Sequence, residues 1–370
     1  MSLFTEFPQT EKRLDIKVRT VTTSLKRKKD RLQNEGKGAK VLIILLLCLL
    51  VFLILLSICV GKYSLSIADS AYIVFAKIFN LEQTWTSVAE GVVIYLRLPR
   101  VLAAGLVGGA LSMSGASFQG IFKNPLVSPD LLGVSSGACI GAAIAILLGA
   151  GAMTMQMSAF IAGIITVLIT LMIPRLIKSD SNIILVLSGI IVGGMMGSIL
   201  GFIKYVADPL TQLAAITYWQ MGSFAYISYQ SLVSVLPPMI IGFVCLFAMS
   251  WWIDVLSLGD EEAKLLGANI RLLRTIVILA ATLLTASAIC ISGTVGWIGL
   301  VIPHFARMFV GPNNQRLLPV SALIGAIFLI VIDTITRTLT TAELPISILT
   351  GLIGAPFYVF LLYRQRMRLQ

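Results

Sequence analysis

Of the 370 residues, 57% are hydrophobic and only 12% are charged, and the mean hydropathy is +0.95. A soluble domain carries about twice that share of charge, so a soluble globular enzyme is excluded and a polytopic membrane protein is expected. The net charge of +11 is unevenly placed, with 11 Lys/Arg against 5 Asp/Glu in residues 1–40.

That basic tail, centred on Lys26-Arg27-Lys28-Lys29, reads as a solvated cytoplasmic segment lying near anionic membrane lipid. A nucleic-acid patch is disfavoured because apolar spans follow directly. The tail is too long and too polar for an ordinary signal peptide. Val41–Val60 is longer than a signal-peptide apolar core, so it reads as an uncleaved first span. The chain therefore divides into a tail, residues 1–40, and one transmembrane domain, residues 41–370.

Ten apolar runs approach the length that crosses a bilayer: 41–60, 100–122, 134–150, 154–174, 183–206, 231–250, 273–292, 295–310, 317–336 and 346–363. The expected fold is all-α with ten transmembrane helices. The eighth run is short and carries Pro303, so a broken or tilted segment is expected there. With the N-terminus inside, the cytoplasmic segments hold 22 Lys/Arg and the opposite side holds 6, which places both termini in the cytoplasm. Small residues crowd the second run (Gly105, Gly108, Gly109, Gly115) and the fifth (Gly189, Gly193, Gly194, Gly197), as close helix packing in lipid requires. Ser114-Gly115, Pro125 and Gly133 recur 178 residues later as Ser292-Gly293, Pro303 and Gly311, the pattern of an inverted repeat. The outer loop 61–99 ends in Arg97-Leu98-Pro99-Arg100. Tyr218, Trp219 and Phe224 in the segment 207–230 suit an interfacial aromatic belt.

The chemistry of a stand-alone engine is missing. There is no phosphate-binding G-x-x-x-x-G-K-[ST] loop. The five cysteines (Cys48, Cys59, Cys139, Cys245, Cys290) form no C-x-x-C pair and read as small buried hydrophobes, giving neither a disulfide framework nor a metal site. His304 is the single histidine and reads as a helix-packing residue. After the tail, Asp333 is the one acid inside a span, and its spacing from Arg337 suggests a helical ion pair. No catalytic residue, resident cofactor or metal is expected.

Three polar constellations remain. The first is Leu256–Ile270, LSLGDEEAKLLGANI, the most polar run after residue 40. Gly259 can close one short helix and Asp260, Glu261 and Glu262 can open the next, where the helix dipole favours acids. Gly267 can cap it, and Leu258, Leu265 and Leu266 share a face. This reads as an amphipathic cytoplasmic elbow, either a docking knob or an ordinary interfacial loop helix. The second is the outer set Arg97, Arg100 and Arg337, which invites an acidic partner or snorkels to lipid headgroups. The third is a pair of inner turns, Lys123–Asp130 and Lys178–Asn182, either of which could narrow the inner mouth of a path.

RLPRVLAAGLVGGALSMSGASFQGIFKNPLVSPDLLGVSSGA (97–138), the elbow, SGTVGWIGLVIPHFARMFVG (292–311) and AELPISILTGLIGAPFYVFLL (342–362) resemble the FecCD-type permeases. These are the transmembrane subunits of ABC importers for iron-siderophore, vitamin B12, haem or molybdate. The resemblance covers residue 41 to the end. It implies ten spans per subunit in the type II importer fold, and a dimer with a second permease subunit, either a copy or a paralogue. Two ATPase subunits would carry the ATP and Mg, each docking on an elbow at Leu258, Gly259, Asp260, Glu261, Glu262, Ala263, Leu266 and Gly267. An extracytoplasmic substrate-binding protein would dock at Arg97, Arg100 and Arg337. The inner gate of relatives falls, by a loose match, on Ser181, Asn182 and Ile183. The implied setting is the bacterial cytoplasmic membrane, and the implied cargo is a metal chelate, foremost a ferric siderophore. YWQMGSF (218–224) and the C-terminal third also look like the molybdate or tungstate branch. A stand-alone secondary transporter is the contrasting reading, and Asp333 would be its sole coupling acid.

Overall fold

The computed structural model describes residues 38–367 apart from Ser64, Thr84, Asp180 and Thr341. The basic tail to residue 37 lies outside the described residues. Two compact units divide between Leu45 and Leu46. The described part of the first, residues 38–45, is helical; the second unit, residues 46–370, holds everything that follows.

The described residues are helices joined by turns. In chain order these are α1 (Gly38–Cys59), α2 (Ile67–Phe79), α3 (Ser87–Glu90), α4 (Leu98–Phe122), α5 (Val134–Leu147), α6 (Ala152–Leu176), α7 (Asn182–Val206), α8 (Gln212–Met221) and α9 (Tyr229–Ala248). They continue as α10 (Ser250–Leu258), α11 (Asp260–Leu265), α12 (Ile270–Ser292), α13 (Ile298–Val310), α14 (Asn314–Leu339) and α15 (Ile346–Met367). Every expected apolar run falls on a helix. Among the described residues seven helices are long and apolar enough to cross a membrane, while those at Val134–Leu147, Ile298–Val310 and Ile346–Phe360 are shorter.

The outer loop is more structured than its sequence suggests. Ser66 caps α2 by accepting from the Asp69 amide, and Thr86 caps α3 by accepting from Ala89. From Ser87 the chain is helical without a break to Phe122, passing through a π-helical stretch, Gly91–Arg97. That wider turn precedes Pro99, whose missing amide and bulky ring would break an ordinary ladder. The Arg97–Arg100 motif is therefore part of a helix and not the end of a loop.

Helix α4 is the axis of the second unit. It is buried along most of its length and packs chiefly on α14, then on α12 and α13. Glycines allow these approaches: a Cβ on Gly108 would strike the Gly325 carbonyl of α14, and one on Gly115 would strike Gly299 of α13. The Ser114 hydroxyl donates to the Ala281 carbonyl of α12 at 3.1 Å. A hydroxyl placed mid-helix in an apolar medium finds its acceptor on the neighbouring helix.

Three expectations differ at the local level. Helix α13 is short but unbroken, with Pro303 inside it and Trp297 in the left-handed region at its start. The residues related by the 178-residue offset do not share local structure: Ser114-Gly115 lies within α4, whereas Gly293 ends α12. Pro125 is in a turn and Pro303 is in a helix. Of that set, Gly133 and Gly311 share a left-handed φ, 83° and 75°. Phe224, expected at the interface, is fully buried.

Candidate functional site

The inner elbow forms as the glycines and acids dictate. α10 ends at Gly259, which adopts φ 151° and ψ 157°, a conformation that favours glycine. Asp260, Glu261 and Glu262 fill the first turn of α11. Gly267, at φ 79°, lets the chain leave, and the Asn269 side chain then caps α12 by accepting from the Leu272 amide at 3.1 Å. Ala263 is wholly buried and Ala268 nearly so, which seats the elbow on the bundle. The opposite face is apolar and open: Leu258 is 62% exposed, Leu265 88% and Leu266 56%.

Polar bonds mount this elbow on α12 and α14, two of the helices that pack against α4. Arg274 of α12 holds the Asp260 carboxylate at 3.1 and 3.3 Å. Asp254 of α10 accepts from both the backbone and the side-chain amide of Asn314, at 2.8 and 2.7 Å, so it caps the start of α14. Arg274 thus bonds α11 to α12, and Asp254 bonds α10 to α14.

The expected gate lies next to this linkage. The Ser181 hydroxyl caps α7 by accepting from the Ile183 amide at 3.2 Å, and Ile183 is 78% exposed. Ser181 lines a small cavity of about 60 Å³ with Pro174, Arg175, Arg271 and Arg274. Arg274 therefore bonds the elbow and lines the same cavity as Ser181, a junction that sequence spacing alone does not reveal.

The outer arginines are not the exposed set that the sequence suggests. Arg97 is 5% exposed, Arg100 8% and Arg337 6%. Arg97 donates to the carbonyls of Ile58, Cys59 and Tyr63 at 2.9, 3.1 and 2.6 Å, which satisfies the end of α1. Arg337 donates to the carbonyl and hydroxyl of Ser57. Arg100 forks onto Asp333, with Nε and Nη2 at 2.8–3.1 Å, and reaches Glu343 through Nη1 at 2.8 and 3.0 Å. Asp333 therefore pairs first with Arg100, 233 residues away, and its expected partner Arg337 stands at 4.0 Å. A completely buried carboxylate needs the paired, two-toothed geometry that a guanidinium supplies.

The Lys123–Asp130 turn is also more than a turn. Pro129–Leu132 forms a single 3-10 turn between α4 and α5. The Leu132 carbonyl accepts from Thr170 at 3.0 Å, and a Cβ on Gly189 would strike the Leu131 carbonyl. Those contacts lie six and seven residues from the facing ends of α6 and α7, Leu176 and Asn182, roughly 10 Å inside the bundle at 1.5 Å per residue. Pro125, Pro129 and Gly133 in the sequence were the signal that this segment is not helical. Among the described residues no His/Cys/Asp/Glu cluster is arranged to hold a metal ion.

The FecCD transport family matches residues 49–364. The chain belongs to the FecCD transport family. It is 39% identical over 314 residues to the molybdate import system permease protein MolB of Haemophilus influenzae, covering 85% of this chain and 93% of that protein. It is 42% identical over 275 residues to a protein of Helicobacter pylori named a probable iron chelatin transport system permease protein, covering 74% of this chain and 83% of that one. A solved structure of a metal-chelate type ABC transporter in an inward-facing conformation superposes with a TM-score of 0.78 at 37% identity, covering 87% of this chain and 98% of that one. This FecCD permease is thus a multi-pass membrane protein of the ABC importer type, a transport subunit and not an enzyme. Its elbow, the turn before α7 and the arginine cluster lie within the matched residues.

Proposed function

We propose that this FecCD permease moves a ferric siderophore from an extracytoplasmic binding protein into the cytoplasm, powered by ATPase subunits docked on its elbows. The observation that carries the reading is the elbow itself. Leu258, Leu265 and Leu266 expose an apolar face beside the acids Glu261 and Glu262, on a mount bonded to α12 and α14. An apolar patch rimmed by charge on a cytoplasmic turn fits a protein partner of complementary shape. The partner set is a second permease subunit, two ATPase subunits holding ATP and Mg, and the binding protein, in a bacterial cytoplasmic membrane with both termini inside. Ser181, Asn182 and Ile183 form the inner gate, and Arg274 relays elbow movement to it.

The binding protein docks at the outer rim carried by Arg97, Arg100 and Arg337. Its acids compete with Glu343, the 27%-exposed member of the cluster, for Arg100. The test is uptake of a radiolabelled ferric siderophore into proteoliposomes. Uptake that requires the ATPase, ATP and the binding protein supports the reading. Uptake by the isolated chain under a proton gradient overturns it. Molybdate is the second reading, favoured by the extent of the MolB match. Haem and cobalamin complete the set to be titrated against the purified binding protein.

A further inference from the structure

Asp130 stands in the segment that enters the bundle without forming a full helix. Its Oδ1 accepts the Ser135 hydroxyl in the first turn of α5, yet the residue stays exposed within the chain. It lines a cavity of about 180 Å³ with Ser128, Leu111, Thr285, Trp297 and Gly299. Leu111 and Thr285 lie well inside α4 and α12, so this cavity is at membrane depth. No lysine or arginine is among its described lining residues. Non-helical backbone at such depth persists where protein or a water-filled cavity satisfies it. An ionisable side chain there marks a route for polar cargo more often than a packing device.

We infer that Asp130 sets a negative charge on the cargo's route through the inner half of the bundle. It makes that route more favourable to neutral or cationic metal chelates, of the iron-hydroxamate kind, than to free oxyanions. The inference rests on the importer reading and narrows its cargo. A pure capping role for Asp130 would need its bond to Ser135 and not its charge. Asp130→Asn keeps an acceptor for Ser135 and removes the charge, which separates the two.

The probe is a Ser128→Cys variant of the full chain, labelled with a cationic and an anionic methanethiosulfonate of equal size. Rates are taken above those of the parent chain's own cysteines. With Asp130 present the cationic reagent should react about five-fold or more faster relative to the anionic one, the ratio expected for a carboxylate roughly 8 Å away in a water-like medium. Asp130→Asn should bring the ratio down by that factor, and Asp130→Glu should retain it. In the assembled importer, a bulky maleimide on the thiol introduced by Ser128→Cys should block ATP-dependent uptake of a ferric hydroxamate. An unchanged ratio in Asp130→Asn overturns the inference, as does full uptake after labelling, which would put the cavity off the route while leaving the importer reading intact. Lack of ATP-dependent uptake by the unlabelled parent overturns the importer reading and the inference with it.

Discussion

The Arg100 side chain at the outer end is 10% exposed and grips two carboxylates of its own chain, whereas Glu261 at the inner elbow is 85% exposed and meets Lys264 one turn away. Both regions are rich in ionised groups. At the outer end those groups close on one another and on the carbonyls that end α1. At the elbow Asp260 is spent on the mount, and the remaining acids and leucines face outwards. A buried ion network holds elements together because removing one member strands another. An exposed charge costs the fold little, and so is free to serve a partner. The outer cluster should therefore respond to substitution through stability and the elbow through assembly.

The sharpest way to break this contrast is Asp333→Leu. It leaves Arg100 and Arg337 buried without their shared carboxylate and should cost about 3–5 kcal/mol, read as a large fall in the melting temperature of the detergent-solubilised chain. An unchanged melt would mean that the network does not hold the outer end. Gly108→Val should come next. Its side chain meets the Gly325 carbonyl at the α4–α14 crossing, and overpacking there should cost about 1–3 kcal/mol. Asp260→Asn removes the charge that faces the buried Arg274, whose side chain is 8% exposed against 44% for Asp260; because the amide still offers an acceptor, its effect on the melt should be about 1 kcal/mol, while elbow-to-gate coupling, measured as uptake per ATP hydrolysed, should fall. Lys77→Met should have the smallest effect. Lys77 bonds Glu90 at 2.6 Å but is half exposed, so the melt should not move measurably, and a clear loss would show that surface pairs in α2 matter more than this contrast allows.

Much of the fold was legible because apolar periodicity and length report a helix directly, and each expected apolar run is helical. The elbow was legible in detail, since Gly259, Gly267 and three successive acids are local signals that need no distant partner. The outer cluster was not. Apolar pattern places Asp333 on a helix face, but nothing local says that α14 crosses α4 so as to bring Arg100 to it. The i,i+4 neighbour Arg337 was the natural choice from spacing and proved the more distant of the two. The helical reach of Ser87–Phe122 was hidden for a similar reason: Pro99 reads as a break unless a π-helical turn ahead of it relieves the ladder. The depth of Asp130 was hidden because a turn between two spans reads as surface, and the Thr170 bond from α6 and the close approach of α7 that draw it inwards are tertiary.

The most direct test of the elbow's role is recovery of the ATPase subunit with the detergent-solubilised permease, comparing the parent with a double variant carrying Glu261→Lys and Glu262→Lys. Both proteins are first checked for equal melting temperature. The docking account predicts an unchanged melt and at least a ten-fold loss of co-purified ATPase in the double variant. Equal recovery of the ATPase by both would contradict it.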